Sequence, residues 1–573
     1  MSEHGHKGEP SPVERIKAAS RQLRGTLVES LADPLTGAIR EDDTQLIKFH
    51  GVYQQDDRDL RNERREQRLE PAWQFMARAR VPGGLCTPAQ WLAFDEIART
   101  WANGTLRLTT RQAFQLHGVL KRDLKSAIAA INRSLLDTIA ACGDVNRNAM
   151  CSVLPLQRAA HAEASALAAE LSRRFLPHSR AYHEIWLDGE KLADSGVEEE
   201  PVYGPLYLPR KFKLGIAVPP DNDVDVYSQD LGLVAIVEHG RIVGYNVLVG
   251  GGMGMTHGDF ATWPRLADPL GFCPADAAVA VAEAVVTTQR DFGDRSNRKH
   301  SRLKYTVEDL GLERFRAEVE SRAGLRFTPP RPAEFVNNAD PLGWRTDDEG
   351  YHHFGLHVPS GRITDRDDWR ALTGLREIAA RGLAQFRLSA NQNLMLCDIA
   401  ADARAELSAL LDAHGLGRPV SEVRKLALAC VGLPTCALAM AESERYAPAF
   451  LDEFEALLAK HGLGDAPIGI RITGCPNGCA RPFLAEIALV GKAPGRYNLY
   501  VGGVPDGSRL TVPLHENIPQ RDVLATLDGL LGRYAAERDA GEAFGVFVRR
   551  VGVVPPVASG RDFAQAVRAL SGA

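Results

Sequence analysis

The chain repeats three of its own segments in the same order, and this repetition limits the folds open to it more than any other feature. TLRLTTRQAFQLH returns as QFRLSANQNLMLC with four identities in thirteen positions, CSVLP returns as CVGLP, and YNVLVGG returns as YNLYVGG with five in seven. The paired segments begin at Thr105 and Gln385, at Cys151 and Cys430, and at Tyr245 and Tyr497. Their separation of roughly 250 to 280 residues is far too long for a solenoid repeat, so we predict two homologous halves that face each other.

Each half carries both helix and strand patterns. TPAQWLAFDEIARTW begins with Thr87 and Pro88, which suit the N-cap and first turn of a helix, and a WRALTGLREIAARG helix precedes the later copy. TLRLTTRQAFQLHGVL alternates as a pair of strands does, and KLGIAVPP and LGLVAIVEHGRIVGYNVLVGG also read as strands. The predicted class is therefore α+β, with mixed and antiparallel sheets flanked by helices.

An extension precedes the first half, and a loop separates the halves. Residues 1–75 contain a short amphipathic helix pattern and then the run from Asp56 to Pro71, which is dense in both charge signs. That run is either a solvated surface with internal ion pairs or an arm that wraps a neighbouring protein. The segment from Arg331 to Trp344 reads as the loop between the halves.

Charge and cysteine content exclude several classes of protein. The net charge of -5 gives no nucleic-acid footprint, and no apolar run approaches the roughly 20 residues of a membrane span. The first residues do not form a signal peptide, and nine cysteines are too few for a disulfide scaffold in a chain of 573 residues. We expect a cytoplasmic protein with free thiols and no nucleic-acid or membrane partner. Thiols that cluster in such a sequence indicate metal binding or catalysis.

Four cysteines of the second half form such a cluster. Cys430 and Cys436 have five residues between them, Cys475 and Cys479 have three, and 38 residues separate the pairs. The first gap fits zinc ribbons poorly, whereas four thiolates are the usual ligand set of a 4Fe-4S cluster. The glycines before Cys475 and Cys479 let the backbone approach a cluster and direct N–H groups at its sulfurs. Of the four positions, the first half keeps only Cys151, which we interpret as structural.

Two further patterns are assigned no chemistry. Cys86, Cys142, Cys273 and Cys397 are scattered and read as small buried hydrophobic residues. LVGGGMGM, from Leu248 to Met255, lacks the GxGxxG spacing of a dinucleotide site.

With the cysteine pattern and its GCPNGC core in place, the sequence resembles the sulfite and nitrite reductases that carry sirohaem coupled to a 4Fe-4S cluster. The resemblance covers nearly the whole chain and is strongest to the haemoprotein subunits of assimilatory NADPH-dependent sulfite reductases. The similar segments include VPGGLCT, RLTTRQAFQLHG, DVNRNAMC, YLPRKFK, VVTTQRDFGDR, ANQNL and GKAPGRYNLYVGG.

The resemblance implies a three-domain fold with a pseudo-twofold duplication around a central sirohaem. The implied divisions are residues 1–75 as a partner-docking extension, 76–145 and 331–415 as two ferredoxin-like half-domains, 146–330 as the first sirohaem domain, and 416–573 as the second, with the cluster. It also implies that Cys479 bridges the cluster and the sirohaem iron as axial ligand. His117 has an alternative reading as a haem ligand, which we reject because Cys479 and substrate fill both axial positions.

The implied activity is six-electron reduction of sulfite to hydrogen sulfide in sulfate assimilation and cysteine biosynthesis. Electrons would come from NADPH through a flavoprotein (alpha) subunit. The alternatives are a sirohaem nitrite reductase that forms ammonia and a ferredoxin-dependent sulfite reductase. A non-catalytic iron–sulfur carrier and a zinc-binding structural protein are more distant possibilities.

Sulfite is a small anion that loses three oxygens as water, so its pocket needs positive charge and proton donors. The family motifs assign that role to Arg80, Arg147, Lys211 and Lys213. Lys211 and Lys213 stand two positions apart on a predicted strand and so point the same way. The predicted contacts to the sirohaem carboxylates are Arg111, Gln115, His117, Arg210, Gln289, Arg290, Lys304, Asn391, Gln392 and Asn393.

Overall fold

The structure is a computed structural model that describes residues 8–178, 185–187, 190–193 and 200–571. Its helices are Pro12–Ala19 (α1), Leu27–Ala32 (α2), Glu41–Leu46 (α3), Arg61–Glu66 (α4), Pro88–Trp101 (α5), Leu124–Arg133 (α6), Arg158–Arg174 (α7), Ala278–Phe292 (α8), Leu303–Leu310 (α9), Leu312–Ala323 (α10), Ala371–Arg381 (α11), Arg404–Ala413 (α12), Glu422–Leu426 (α13), Ala447–Lys460 (α14), Gln520–Glu537 (α15), Phe544–Arg550 (α16) and Arg561–Ser571 (α17). Its strands are Val52–Asp56 (β1), Trp73–Arg80 (β2), Leu85–Cys86 (β3), Leu106–Leu108 (β4), Ala113–Val119 (β5), Met150–Cys151 (β6), Ile185–Leu187 (β7), Glu190–Ala193 (β8), Leu214–Ala217 (β9), Leu231–Glu238 (β10), Arg241–Val249 (β11), Asp268–Pro274 (β12), Gly343–Thr346 (β13), His352–Leu356 (β14), Arg362–Ile363 (β15), Asp365–Arg366 (β16), Trp369–Arg370 (β17), Gln385–Leu388 (β18), Leu394–Ile399 (β19), Leu428–Ala429 (β20), Ile470–Thr473 (β21), Ile487–Ala493 (β22), Arg496–Val501 (β23) and Val512–Pro519 (β24).

Two antiparallel sheets exchange their edge strands. The first antiparallel sheet has the order β1-β2-β5-β4-β15, and the second has the order β13-β14-β19-β18-β3. Strand β15 comes from the second half but pairs Arg362 with Arg107, while β3 comes from the first half and pairs Cys86 with Phe386. Each sheet is therefore completed by the other half, and the two sheets share one hydrophobic core.

Two mixed sheets follow the same duplicated plan. The first mixed sheet has the order β12-β11-β10-β9-β6, and the second has β20-β21-β22-β23-β24. In each, three parallel strands are followed by two antiparallel ones. Strands β6 and β20 lead into Cys151 and Cys430 at equivalent places. The predicted α+β fold with two homologous halves is confirmed. We call the first antiparallel and first mixed sheets the first half, and the second antiparallel and second mixed sheets the second half.

The local elements follow from their sequences. Helix α5 begins at a capping box, in which Thr87 accepts from the Gln90 amide and Gln90 accepts from that of Thr87. The predicted strand pair is β4 and β5, and the turn between them places Gln112 at a φ of 50°. Its counterpart Gln392 has a φ of 68°, so both copies of the turn keep the same backbone shape.

The N-terminal extension predicted over residues 1–75 is largely packed into the core, and its role in partner docking stays a prediction. Residues 1–7 of that extension lie outside the described residues. Leu23, Leu46 and Phe49 are buried in the core of the first half, and β1 pairs with β2 as an edge strand of the first antiparallel sheet. The exposed part of the extension is the segment around α4, which has no buried residue. Hydrophobic burial of this size makes residues 8–56 structural.

No helix in the part of the chain that the structure describes has the length and apolar character needed to cross a membrane.

Candidate active site

The four cysteines of the second half converge at the ends of two neighbouring strands. Cys430 follows β20, and Cys475 follows β21 by one residue, while β20 and β21 run parallel. The carboxyl ends of parallel strands meet at the same edge of a sheet, so the two cysteine loops are neighbours. The Gly474 carbonyl joins them by accepting from the amides of Met440 (2.7 Å) and Ala441 (3.0 Å).

Glycines in these loops have steric reasons. A Cβ at Gly474 would lie 2.6 Å from the Ala441 carbonyl oxygen, so only glycine lets the two loops approach this closely. Gly478 has a φ of 64°, and a Cβ there would lie 3.0 Å from the Met253 carbonyl oxygen. The Gly474 amide donates to Cys430 Sγ over 3.2 Å. An N–H directed at a ligand sulfur raises the reduction potential of an iron–sulfur cluster.

The thiols influence one another electrostatically. Burial, followed by the neighbouring thiols of Cys479, Cys430 and Cys436, raises the pKa of Cys475 to about 12. Burial likewise raises the pKa of Cys436 to about 11, with Cys479 as the next cause. Such thiols lose their protons when a metal binds. Among the described residues, no three His, Cys, Asp or Glu side chains converge closely enough to hold one metal ion. A 4Fe-4S cluster takes one thiolate on each iron, so its ligands do not share one ion.

The second cysteine loop lies against the first half of the molecule. Thr110 Oγ1 donates to the Cys479 carbonyl over 2.9 Å, and the Met255 amide donates to the Pro476 carbonyl over 2.9 Å. The GGMGM segment, to which we assigned no chemistry from its sequence, thus supports the loop. The Cys479 side chain is exposed and points away from the core of its own half.

The two predicted pocket lysines sit beside this cysteine. Lys211 and Lys213 flank Phe212, whose amide and carbonyl bond to the backbone of Val145 and Arg147 at 2.9 Å each. Phe212 is buried, so the two lysines point to the opposite side of an extended segment that runs into β9. The prediction of a shared direction agrees with this geometry, although the lysines lie just before the strand.

Both lysines are in a strongly positive environment. Burial, followed by the charges of Arg210 and Arg302, lowers the pKa of Lys211 to about 7, and the Cys479 thiol opposes this shift. The pKa of Lys213 is lowered well below its usual range, first by burial and then by Lys211 and Arg302. Neither ammonium group has an ion pair within the residues that the structure describes. A bound anion would favour the charged form of both lysines, so the two groups together form a candidate anion site.

Arg147 belongs to the same cluster, since its charge also lowers the pKa of Lys211. Its guanidinium is buried and donates to the carbonyls of Gly143 (3.0 Å) and Ala141 (2.9 Å). Arg302, which sequence reasoning missed, is held by Asp230 at 2.7 Å, and Asp230 also accepts from the Lys213 amide. Asp230 directly precedes strand β10, and because Asp221, Asp223 and Asp225 stand just before it, no sequence signal singles it out.

Arg80 does not reach this cluster, which corrects the prediction for that residue. Its guanidinium makes a bidentate pair with Asp137 (2.9 and 2.7 Å) and donates to Ser172 Oγ at 2.6 Å. Arg78 on the same strand is the cation that faces the site. It donates to Cys142 Sγ over 3.2 Å, and its buried Nε has no partner among the described residues. Burial raises the pKa of the neighbouring Tyr53, and the charges of Arg147 and Arg78 oppose that rise.

Three of the residues predicted to contact sirohaem have side chains that are not fully paired within the protein. Two of them have buried nitrogens without a partner among the described residues, and the third has one loose ion pair. Both ring nitrogens of buried His117 lack a hydrogen-bond partner within the described residues, and burial lowers its pKa well below the usual value. Arg111 leaves Nε unpartnered, while its other nitrogens bond to Gln229, Asn148 and Leu214. Arg210 lies 3.9 Å from Asp144, which is a loose pair.

Four others make hydrogen bonds within the protein, and their contacts to sirohaem carboxylates stay predictions. Gln289 donates to the Ser301 carbonyl and accepts from Thr306 at 2.7 Å each. Arg290 pairs with Asp291 and the Val202 carbonyl. Lys304 donates to the carbonyls of Gly252, Gly254 and Trp263. Gln115 contacts Arg107 and Met76.

The predicted Asn391–Gln392–Asn393 run lies at a junction of both halves. Asn391 and Asn393 donate to Asp340, and Gln392 donates to the Ser360 carbonyl. Arg481, two residues after Cys479, donates to Asn391 at 3.0 Å and to the Thr110 carbonyl at 2.9 Å, and it pairs with Asp225. Sequence reasoning missed Arg481 and Asp225. Together they fix the cysteine loop to both turns that follow the repeated strand.

The donor set fits a flat cofactor rich in carboxylates. Lys211 and Lys213 interact with Cys479, Arg210 and Arg111 interact with these lysines, and Arg78 interacts with His117. These six residues are cationic or unpartnered donors. Carboxylates satisfy buried N–H donors of this kind, which otherwise destabilise the fold. On the other side, the four thiols supply the ligands of a 4Fe-4S cluster.

Comparisons with known proteins agree with this arrangement. A family model for the nitrite and sulphite reductase 4Fe-4S domain matches residues 169–327, and one for the nitrite/sulfite reductase ferredoxin-like half domain matches residues 70–134 and 345–414. Proteins named NADPH sulfite reductase hemoprotein beta-component are 57% identical in Myxococcus xanthus and 54% in Bacillus subtilis, over 96% and 97% of this chain and 98% of each relative. The structure of the Mycobacterium tuberculosis NirA protein superposes with a TM-score of 0.77 at 25% identity, covering 95% of this chain and 97% of that one.

Proposed function

The chain belongs to the family of sulfite and nitrite reductases that use sirohaem and a 4Fe-4S cluster, and from this premise we propose that it reduces sulfite to hydrogen sulfide. The observation that carries the proposal is the pair of uncompensated lysines, Lys211 and Lys213, beside the thiol of Cys479. An oxyanion that binds there meets positive charge on one side and the electron source on the other. The relatives named NADPH sulfite reductase hemoprotein beta-component support sulfite as the oxyanion.

In this proposal, Cys430, Cys436, Cys475 and Cys479 would hold the cluster, and Cys479 would also be a ligand of the sirohaem. When bound, these two groups would supply the electrons for the reduction. Arg111, His117 and Arg210 hold sirohaem carboxylates, with the Asn391–Gln392–Asn393 turn as a structural support.

The chain itself binds the anion and supplies protons. Arg147 and Arg78 clamp the negative oxygens through their guanidinium groups. Lys211 and Lys213 can give up a proton from Nζ because burial and neighbouring cations have lowered their pKa. Each oxygen that leaves the sulfur needs such protons to depart as water.

The electron donor is proposed to be a flavoprotein (alpha) subunit that oxidises NADPH, with a role in sulfate assimilation and cysteine biosynthesis in the cytoplasm. The support is the name of the relatives together with the absence of a GxGxxG motif in the sequence. The purified chain should therefore not oxidise NADPH by itself.

The test is a comparison of donors and acceptors with the purified holoenzyme. Reduced methyl viologen should support reduction of sulfite to sulfide, with a higher kcat/KM than for nitrite, and the absorption spectrum should show sirohaem bands. NADPH alone should support neither reaction. A spectrum without sirohaem, or a clear preference for nitrite, would reject the proposal.

Variants of the anion site test the roles of its residues. Arg147→Ala should mainly raise KM for sulfite, whereas Lys213→Ala should mainly lower kcat, with both cofactors still loaded. Loss of one preorganised charged contact is expected to remove about 2 to 4 kcal/mol of transition-state stabilisation. Wild-type kinetics in either variant would place that residue outside the pocket.

A further inference from the structure

A groove of about 780 Å³ opens on the second half between the second antiparallel sheet and the second mixed sheet. We call it the second-half groove. Its floor is apolar and well packed, since Leu428, Ile470 and Ile472 at its base are 4%, 0% and 2% exposed. Trp344 and Trp369 contribute to its walls and are half-buried.

The matching positions on the first half are covered by the chain itself. Ala140, Val145 and Ala149 stand eleven, six and two residues before Cys151, and all are fully buried. The N-terminal segment covers them: Leu23, Leu46 and Phe49 belong to the same core. The Ala140 amide donates to the Phe49 carbonyl over 2.9 Å.

At the same distances before Cys430 stand residues that line the second-half groove: Pro419, Arg424 and Leu428. Pro419 is exposed and Arg424 is half-buried. By this sequence correspondence, positions that line an open groove on the second half match positions that are buried on the first half. An apolar segment of this chain covers the buried positions, and none of the described residues fills the groove.

Four cations line the second-half groove: Arg366, Arg418, Arg424 and Lys425. Carboxylates just outside the lining pair with three of them, Asp368 with Arg418, Glu455 with Arg424 and Glu422 with Lys425. Arg366 is exposed and makes no ion pair within the described residues. The groove therefore suits a segment with an apolar face and an acidic residue that meets Arg366.

The floor of the groove is continuous with the cluster loop. Leu428 and Ala429 form β20, and the next residue is Cys430. The Cys430 amide donates to the carbonyl of Ile472, another floor residue, over 3.2 Å. A protein seated in the groove would be separated from a cluster ligand by a short run of backbone.

From these observations we infer that the second-half groove is the docking site of the electron-donating protein, which inserts an acidic segment with an apolar face. The inference rests on the proposed function and adds to it the surface through which electrons enter. The occupant plays on the second half the part that Leu23–Phe49 plays on the first. Because the rim is charged, docking accelerates at low ionic strength and weakens as salt is added.

The experiment compares two electron sources in one holoenzyme preparation. The probe is the flavoprotein component of an NADPH-dependent sulfite reductase, and reduced methyl viologen is the small donor that needs no docking. The groove variant is Arg366→Glu with Arg418→Glu, both exposed on the rim. The matched control is Arg122→Glu with Arg521→Glu, whose side chains are 80% and 87% exposed and line no part of the groove.

The groove variant should raise KM for the flavoprotein at least tenfold and keep the methyl viologen rate within twofold of wild type. The control should keep both rates. Val420→Trp, which places a bulky ring in the groove, should reproduce the loss by steric exclusion without a change of charge. Unchanged flavoprotein kinetics in both groove variants would overturn the inference, as would a groove variant that only dissociates a dimer of this chain. A wild-type enzyme without methyl viologen activity would instead reject the proposed function.

Discussion

The two mixed sheets have the same strand order but opposite chemical roles. Strand β20 of the second sheet leads into Cys430, and its loops collect four thiols. Strand β6 of the first sheet leads into Cys151, a buried thiol whose pKa burial raises to about 11 and which contacts Gly83 and Ser165. The first half instead presents cations, with Lys211 and Lys213 at the entry to β9.

This difference shows that the duplication supplied positions and later substitution supplied chemistry. The ends of equivalent strands face each other across the site, so one half can hold soft ligands and the other can hold an anion. The turn after the repeated strand illustrates the same division: it carries Arg111 in the first half and Asn391 in the second. A cofactor with two unlike faces requires such unlike walls.

The largest difference between the two halves should appear when their equivalent cysteines are replaced. Cys430→Ser or Cys475→Ser should abolish the electron paramagnetic resonance signal of the cluster and lower sulfite reduction by at least about a thousandfold, because iron loses a thiolate ligand. The equivalent change in the first half, Cys151→Ser, should keep the signal and the activity. A fully assembled cluster in both second-half variants would contradict the assignment of these thiols.

The next largest effect concerns the covered positions of the first half and the open groove of the second. Phe49→Ala should lower the free energy of unfolding by about 3 to 5 kcal/mol, since it removes a buried ring that packs on Tyr207. Val420→Ala in the second-half groove should lower it by less than about 1 kcal/mol, because that side chain is half-buried at an open surface. Chemical denaturation of both variants measures the difference. Equal losses would mean that the two places are packed alike.

Sequence patterns predicted the duplicated α+β fold and the convergence of the cysteine loops because both depend on short-range signals. The spacing of Cys430 and Cys436 is local, and the helix that begins at Pro88 announces its cap. The strand exchange was not predictable in this way. Strands β3 and β15 have two residues each, which is too short for a period, and their partners lie in the other half.

The choice between Arg78 and Arg80 failed for a related reason. Two residues apart on a strand, they look equivalent in sequence, and only the tertiary fold decides which one meets a carboxylate. Asp137, 57 residues after Arg80, provides that partner. Burial of the N-terminal extension was likewise hidden, since its apolar residues are widely spaced among charged ones.

The two arginines therefore provide a matched pair within the first half. Arg78→Ala should lower kcat/KM for sulfite by an amount equivalent to about 2 to 4 kcal/mol of transition-state stabilisation, because it removes a charge from the anion site. It should leave the free energy of unfolding unchanged. Arg80→Ala should leave KM for sulfite near wild type and lower the stability by about 3 kcal/mol, because Asp137 loses its partner. Steady-state kinetics and denaturation of both variants separate the roles. The opposite pattern would restore Arg80 to the site.

The smallest predicted effect concerns the carboxylates that directly precede β10 and β22. Asp230 pairs with Arg302, whereas Glu486 at the equivalent place accepts from the amides of Gly469 (2.9 Å) and Gly545 (3.0 Å). Burial raises the pKa of Glu486 to about 7, although backbone N–H groups and the charge of Arg509 oppose the shift. The folded protein therefore keeps this proton at a pH where the unfolded chain has lost it.

Stability should accordingly fall as pH rises from about 4.5 to 7, since the native state binds the extra proton throughout that window, and the loss is on the order of 2 kcal/mol. Glu486→Gln cannot ionise, keeps the shape of the side chain and should remove this slope. Its free energy of unfolding should match that of the wild type near pH 4.5 and exceed it at pH 7. Asp230→Asn should instead destabilise the protein at both pH values, because Arg302 is left without its carboxylate. Denaturation curves at the two pH values decide, and an unchanged slope in Glu486→Gln would show that this carboxyl is ionised in the folded protein.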